Sequence, residues 1–405
     1  MKVLVVGGGA SGMMAAINAS IYGAEVTLYE RNSSLGKKIL ATGNGKCNIT
    51  NLDLSYDNYF SEDKDEIATY FNQFDNEATI SLFKSFGLLL KNKGVYVYPA
   101  SEQASTVRDV LELRLLEHKV KVVLGITINS ITKQDSIFVV NTDNGTDTFD
   151  RVILACGSYA GLRKNDRISS DKDGYSLAYH LGHSIIPVKP ALTQLVCEAD
   201  YLKDIAGVRC EGKINLLKND IDIASDYGEL QFTEYGISGI PTFQISRYVA
   251  RDIKSIYKVS IDLLPNMEKE NLQELLQSRI LVYMGAKVGD YFLGLFNSKI
   301  NSLIIKLLGL TENDLITDDN KCTLMNSADI IKGLIINIKS AKSFENAQCC
   351  SGGVPLSELD DKLQSKKCSG LYIIGEMVDV DGKCGGYNLQ WAWTTGYIAG
   401  KSAVR

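Results

Sequence analysis

A chain of 405 residues with 45% hydrophobic and 22% charged residues is long enough for two or three domains and can bury an ordinary core. Lys plus Arg number 43 and Asp plus Glu 48, a net charge of −5, which gives no general attraction for a phosphate backbone or an anionic lipid surface. Disordered, collagen-like and disulfide-scaffold classes are excluded, and no apolar run approaches the ~18 to 20 residues that cross a bilayer. The expected setting is cytoplasmic, with neither a membrane nor a nucleic acid as partner. The nine cysteines are odd in number and scattered without framework spacing, which fits reduced thiols.

The chain opens with an apolar run from Lys2 to Val6 that stops at Gly7, small and apolar residues from Ala10 to Tyr22, and a β-rich piece from Glu25 to Tyr29. Strand, glycine turn, helix and strand make one βαβ unit. Residues 62–87 read as helical and 95–99 as a strand; Ser101 opens a helix through 118, with Ser101, Glu102 and Asp109 favouring its amino-terminal half. Strand-like pieces follow at 121–124, 127–132, 137–141 and 151–156, and Asn144-Gly145 predicts a hairpin turn between the last two. Beyond Pro187 and Pro190 come strand-like pieces at 192–197, 212–217 and 229–233, then a helical stretch from 268 to about 310. The end reads as a strand at 371–374, a glycine-rich loop and a helix from about Asn388, the same style as the opening unit.

Three glycine clusters carry the chemistry. Gly7, Gly9 and Gly12 fit G-x-G-x-x-G, in which a tight turn and close backbone approach seat a pyrophosphate at the helix amino terminus. Glu30 ends the next strand about twenty residues on, where a carboxylate accepts hydrogen bonds from an adenosine ribose. The second cluster, Ala41 to Asn48, follows Lys37 and Lys38, either of which can offset pyrophosphate charge. The third runs from Gly375 to Asn388, and the helix behind it, with Gln390, Trp391 and Trp393, aims amide donors at a bound ring system.

With these residues in view, GGGASGMMAA, LYERN, LGKKILATGNGKCNITN, GELQFTEYGISG and GLYIIGEMVDVDGKCGGYNLQWAWTTGYIAG resemble the YhiN/BaiN-like bacterial flavoproteins, the aminoacetone oxidase family of NAD(P)/FAD-dependent oxidoreductases. The motifs spread over nearly the whole chain. The resemblance implies an α/β fold: a Rossmann-like FAD-binding domain built from both chain ends, with a β-barrel-like domain and a helical domain inserted. The expected division is 1–189 and 345–405 for FAD, 190–265 and 321–344 for the β-rich domain, and 266–320 for the helical one. Carried over by position, Gly7, Gly9, Ala10, Ser11 and Gly12 hold the pyrophosphate and Glu30, with Arg31 beside it, the ribose. Lys38, Gly45, Cys47 and Asn48 line the flavin-side loop, and Cys156 and Gly157 end a strand near the cofactor. Gly375 and Glu376 lie by the ribityl chain, and Gly386, Tyr387, Asn388 and Leu389 beside the isoalloxazine. This chain departs from the family at residues 158–168, which carry several basic residues, and at Cys156 and Cys384, where threonine is common.

The implied activity is hydride transfer between flavin N5 and a small organic substrate, with NAD(P)H as a transient reductant. Oxidation of an amine or aminoketone by dioxygen is one alternative and a flavin-dependent RNA-modifying protein another. No second G-x-G-x-x-G opens a helix, and Cys47 has no partner for a disulfide-reductase pair. Cys47 and Cys384 read as packing residues, with a reactive thiol beside the flavin as the alternative, and Cys349-Cys350 as buried packing. His180 and His183 read as surface residues rather than zinc ligands. No metal is expected, and no catalytic acid or base stands out.

Overall fold

The structure, a computed structural model, describes residues 1–162 and 173–404. Of the basic stretch at 158–168, residues 163–168 lie outside the described residues. The chain divides into two compact units, Met1–Pro190 with Ala347–Arg405, and Ala191–Asn346.

The first unit is built on a parallel five-stranded sheet whose central strand is β1 (Lys2–Val6). On one side of β1 lie β2 (Glu25–Glu30) and Lys121–Leu124, and on the other Arg151–Leu154 and Leu371–Ile373. A strand from the last tenth of the chain thus completes a sheet begun at residue 2, with Val152 beside Leu371 and Leu154 beside Ile373. Val3 to Val6 are buried, as expected of a strand covered on both faces. Helix α1 (Ala10–Ile21) is buried without a break from Ser11 to Ala19, so it has no solvent face. Its outer cover is the carboxyl-terminal helix Tyr387–Ser402. A methyl group on Gly396 would lie 2.5 Å from the Ser11 carbonyl oxygen, and one on Gly400 2.4 Å from that of Ala15.

The second unit is a closed barrel, in the order Leu195–Glu198, Gly236–Gly239, Ile221–Thr233, Arg209–Lys218, Tyr257–Asp262, Leu334–Ala341 and back to the start. Alternate residues such as Ile214, Leu216, Leu230, Phe232, Val259 and Ile261 fill it. The helices Lys269–Tyr283, Val288–Phe292 and Ser298–Leu307 bury Leu272, Leu276, Phe292 and Ile304 into the same hydrophobic cluster. Barrel and helices therefore share one core.

Several sequence-based expectations are corrected. The hairpin at Asn144-Gly145 joins Ile137–Thr142 to an additional strand, Gly145–Phe149, and not to Arg151–Leu154. The latter is committed to the parallel ladder with β1. The helix expected from Ser101 begins at Ala104. Glu102 adopts a left-handed backbone, φ 53°, and its carboxylate takes Lys46 at 3.1 Å and Lys91 at 2.5 Å instead of serving a helix end. The helix expected over 62–87 breaks at Asp75, which caps Asn76–Ser85 through the Ala78 amide at 2.8 Å. Within 321–344, the strand Leu334–Ala341 is preceded by two short helices, Lys321–Met325 and Ser327–Lys332.

His183 is also corrected, because it is 2% exposed while His180 is exposed. Its Nδ1 lies 2.7 Å from Glu358 and its Nε2 2.7 Å from Ser365 Oγ, which leaves neither ring nitrogen for a metal. Burial pushes the His183 pKa down against the pull of Glu358. Burial opposes the Glu358 charge as well, but hydrogen bonds from Lys367, Ser184 and His183 outweigh it and hold the carboxyl at about 2. Both groups bind protons more readily when unfolded, so their contribution to stability is present at neutral pH. His183 loses its share as the pH falls below its unfolded value of about 6.5, and Glu358 as the pH falls from about 4.3 toward 2. A thermal-unfolding series should show that Glu358→Gln is destabilised at pH 7 and loses less of its remaining stability than the parent between pH 5 and 3. Parallel curves would refute the assignment.

Candidate active site

The residues singled out by the motifs gather at the carboxyl ends of the parallel strands, where ligands of open α/β sheets bind. Gly7 follows β1 with φ 106°, and a methyl group there would sit 2.4 Å from the Ala155 carbonyl oxygen. One on Gly12 would sit 1.8 Å from that of Gly7. These two glycines let turn, helix and strand close on one another. Gly9 differs, since nothing lies within 4 Å of where its Cβ would be. It caps α1 with no side-chain hydrogen bond, and no acidic residue stands in the first turn. The amides of that turn are left without a side-chain cap beside this open space, the arrangement that accepts a phosphate.

Glu30 is 7% exposed and pinned: its Oε2 accepts the Gly8 amide at 2.7 Å and its Oε1 the Asn32 amide at 2.7 Å. The Gly36 amide donates to the Gly8 carbonyl at 2.9 Å, which brings the loop carrying Lys38 against the turn. A Cβ on Gly375 would come within 2.4 Å of Ser11 Oγ, so the carboxyl-terminal loop touches the start of α1. Next to it, Glu376 forms an ion pair with Lys38 and accepts Ser158 Oγ at 2.8 Å. Desolvation works against the Lys38 ammonium, but Glu376 outweighs it and raises its pKa. The Trp391 indole donates to the Gly375 carbonyl at 3.2 Å, and the Gly375 amide to Thr395 at 3.1 Å.

In the second glycine cluster, Cys47 is fully buried with φ 57°, and burial pushes its thiol up to about 12. Asn48 is 8% exposed and its Oδ1 has no hydrogen-bond partner. Such an orphan is costly unless a ligand or water serves it. Gly45 is half-buried with φ 83°. Gly157 has open space at its Cβ, and burial raises the neighbouring Cys156 thiol to about 12. Ala10 and Leu389 are half-buried, and Arg31 is exposed.

Gly386 backs onto Thr50, whose carbonyl carbon would be 2.8 Å from an added Cβ. Tyr387 is locked in place: its hydroxyl donates to the Asp53 carbonyl at 3.0 Å and accepts from Asn58 at 2.9 Å. Asn388 trades two hydrogen bonds with Gly382, at 2.8 and 2.9 Å, which sets the loop before the helix. Both side chains are thus engaged in shaping the backbone, and the helix amides are what they present. Ser158 was not among the expected binding residues. Its sequence signal is a hydroxyl directly after Cys156-Gly157, just beyond the strand Arg151–Leu154.

The residues fit a dinucleotide. Uncapped amides and open space stand at Gly9, a fixed carboxylate at Glu30, and an unserved amide oxygen at Asn48. Fold and site together define a Rossmann-type dinucleotide-binding protein carrying an inserted barrel. The chain belongs to the family of HI0933-like protein Rossmann domains, which matches residues 1–402 and bears out the resemblance read from the motifs. It is 39% identical to the 3-dehydro-bile acid delta(4,6)-reductase of Clostridium scindens, over 100% of this chain and 99% of the relative. It is 27% identical to the ribosomal RNA dihydrouridine synthase of Haemophilus influenzae, over 99% and 98%. Among solved structures, 3-ketosteroid-delta4-(5alpha)-dehydrogenase from Rhodococcus jostii RHA1 shares the fold at a TM-score of 0.50 and 14% identity, over 100% of this chain and 96% of that one. Among the described residues no helix is long and apolar enough to cross a membrane.

In the folded protein, a thiol-reactive disulfide at pH 8 should label the exposed Cys322 rapidly and Cys47, Cys349 and Cys350 only after unfolding. Rapid native labelling at Cys47, read by peptide mass spectrometry, would restore it as a reactive thiol.

Proposed function

We propose that this protein is an FAD-dependent oxidoreductase that reduces a carbon–carbon double bond conjugated to a carbonyl in a small organic molecule, with NADH or NADPH as the source of electrons. One observation carries the reading: 39% identity, from end to end, to a protein named as a bile acid reductase. The more distant relative supports the same reaction type, because making dihydrouridine from uridine also saturates a ring double bond conjugated to a carbonyl. Bound FAD supplies a hydride donor and acceptor at N5.

In this reading the α1 amides, with the open space at Gly9, take the diphosphate, and Glu30 takes the adenosine ribose. Glu376 and Ser158 border the ribityl chain, and Asn48 offers its orphan oxygen to a donor on the cofactor. The amides at the start of Tyr387–Ser402, uncapped by any side chain, favour negative charge at the ring.

A ribosomal RNA substrate is the second reading, favoured by the full-length match to the dihydrouridine synthase. Stopped-flow mixing with NADH, NADPH or an aminoketone as reductant, followed by 3-oxo-steroid enones or undermodified ribosomal RNA as oxidant, separates these readings. We expect a nicotinamide to bleach the flavin and an enone to restore its colour. Reoxidation by RNA alone would select the second reading, and bleaching by an aminoketone but by neither nicotinamide would overturn the reductase.

Gly9→Val tests the cofactor site with little disturbance of the protein, because nothing lies within 4 Å of the Cβ it adds and the Gly9 backbone, φ −81°, admits a side chain. It should purify colourless, with the unfolding midpoint of the wild-type apoprotein. Retention of FAD would place the diphosphate elsewhere.

A further inference from the structure

The pair Lys38–Glu376 links residues 338 apart, with the Lys38 side chain 44% exposed along its length while its ammonium is desolvated against Glu376. Its position suggests a role. Lys38 lies two residues beyond Gly36, whose amide holds the Gly8 carbonyl, and Glu376 is adjacent to Gly375, which abuts Ser11. Both therefore flank the glycine turn and the first turn of α1. Glu376 is 17% exposed and accepts Ser158 Oγ at 2.8 Å, which with Lys38 holds its carboxylate at that corner. A fixed carboxylate beside a helix amino terminus competes with any dianion brought to the same amides. Lys38 is the cation in contact with it.

Building on the FAD reading above, we infer that Lys38 is a charge-balancing residue: it cancels Glu376 so that the FAD diphosphate can occupy the start of α1. Lys38 acts through Glu376 and is a positioning residue for the cofactor. The distinguishing consequence is coupling. If Lys38 were a direct counterion of the diphosphate, its loss would weaken binding whatever stood at 376. If it balances Glu376, its loss costs little once Glu376 is already neutral.

The test is a double-mutant cycle on FAD dissociation constants, measured by quenching of flavin fluorescence on the full-length apoprotein, with thermal unfolding to confirm that each variant folds. Lys38→Met should weaken FAD by roughly tenfold to a hundredfold, the size expected for one uncompensated charge several ångströms from a dianion. Lys38→Arg should bind like wild type. Lys38→Met/Glu376→Gln should bind FAD within about threefold of Glu376→Gln alone, so that Lys38→Met costs little once the carboxylate is gone. An equal cost of Lys38→Met in the wild-type and Glu376→Gln backgrounds, or wild-type affinity in Lys38→Met, overturns the inference while leaving the FAD reading intact. Failure of the wild-type protein itself to take up FAD would defeat the function proposed above instead.

Discussion

Two helices from opposite ends of the chain touch backbone to backbone, and the rest of the first unit depends on that seam. Gly396 and Gly400 remove the side chains that would otherwise hold Tyr387–Ser402 away from Ser11 and Ala15. Close approach of this kind leaves no room for even one methyl group. It also fixes the height of the carboxyl-terminal loop against α1, so Gly375 reaches Ser11 and Glu376 reaches Lys38. The parallel pairing of Leu371–Ile373 with Arg151–Leu154 holds the other end of the same segment. Strand, loop and helix from the last thirty-odd residues are thus clamped at both ends, and the site is assembled from segments that are remote in sequence.

The opening βαβ unit was legible because local signals agree: an apolar strand, G-x-G-x-x-G, a small-residue helix and a terminal carboxylate all specify one motif. Its reading as a dinucleotide cradle follows from the residue types at single positions. What sequence could not show was the occupancy of side chains by long-range partners. Tyr387 and Asn388 stand in a site motif, yet Asp53, Asn58 and Gly382 consume their hydrogen-bonding capacity. His183 looks like a surface histidine until Glu358 and Ser365, from a segment over 170 residues away, enclose it. The missed strand Gly145–Phe149 is exposed through Thr148 and carries no apolar alternation. Only its ladder with Ile137–Thr142 makes it a strand.

The helix start near residue 101 shows the same competition in another form. Ser101 and Glu102 are good amino-terminal residues by propensity, but two lysines from neighbouring segments capture the Glu102 carboxylate. A carboxylate satisfied by two cations loses nothing by leaving the helix, and the first turn slides to Ala104.

Burial also decides what the cysteines near the glycine turns can do. Cys47 and Cys156 are pushed to about 12 and Cys350 to about 11, so at neutral pH the thiolate, which is the reactive form, is almost unpopulated. Desolvation is the largest cause for each, and for Cys350 it prevails over the nearby Lys38 charge, which pulls the other way. The Lys38 ammonium is committed to Glu376, and a cation already neutralised by a carboxylate does little for a thiolate beyond it. Burial, helped by the Glu376 charge, therefore keeps the Cys350 thiol protonated despite the ammonium nearby. The thiols beside the glycine turns are thereby held in the form that neither attacks an electrophile nor exchanges with a disulfide.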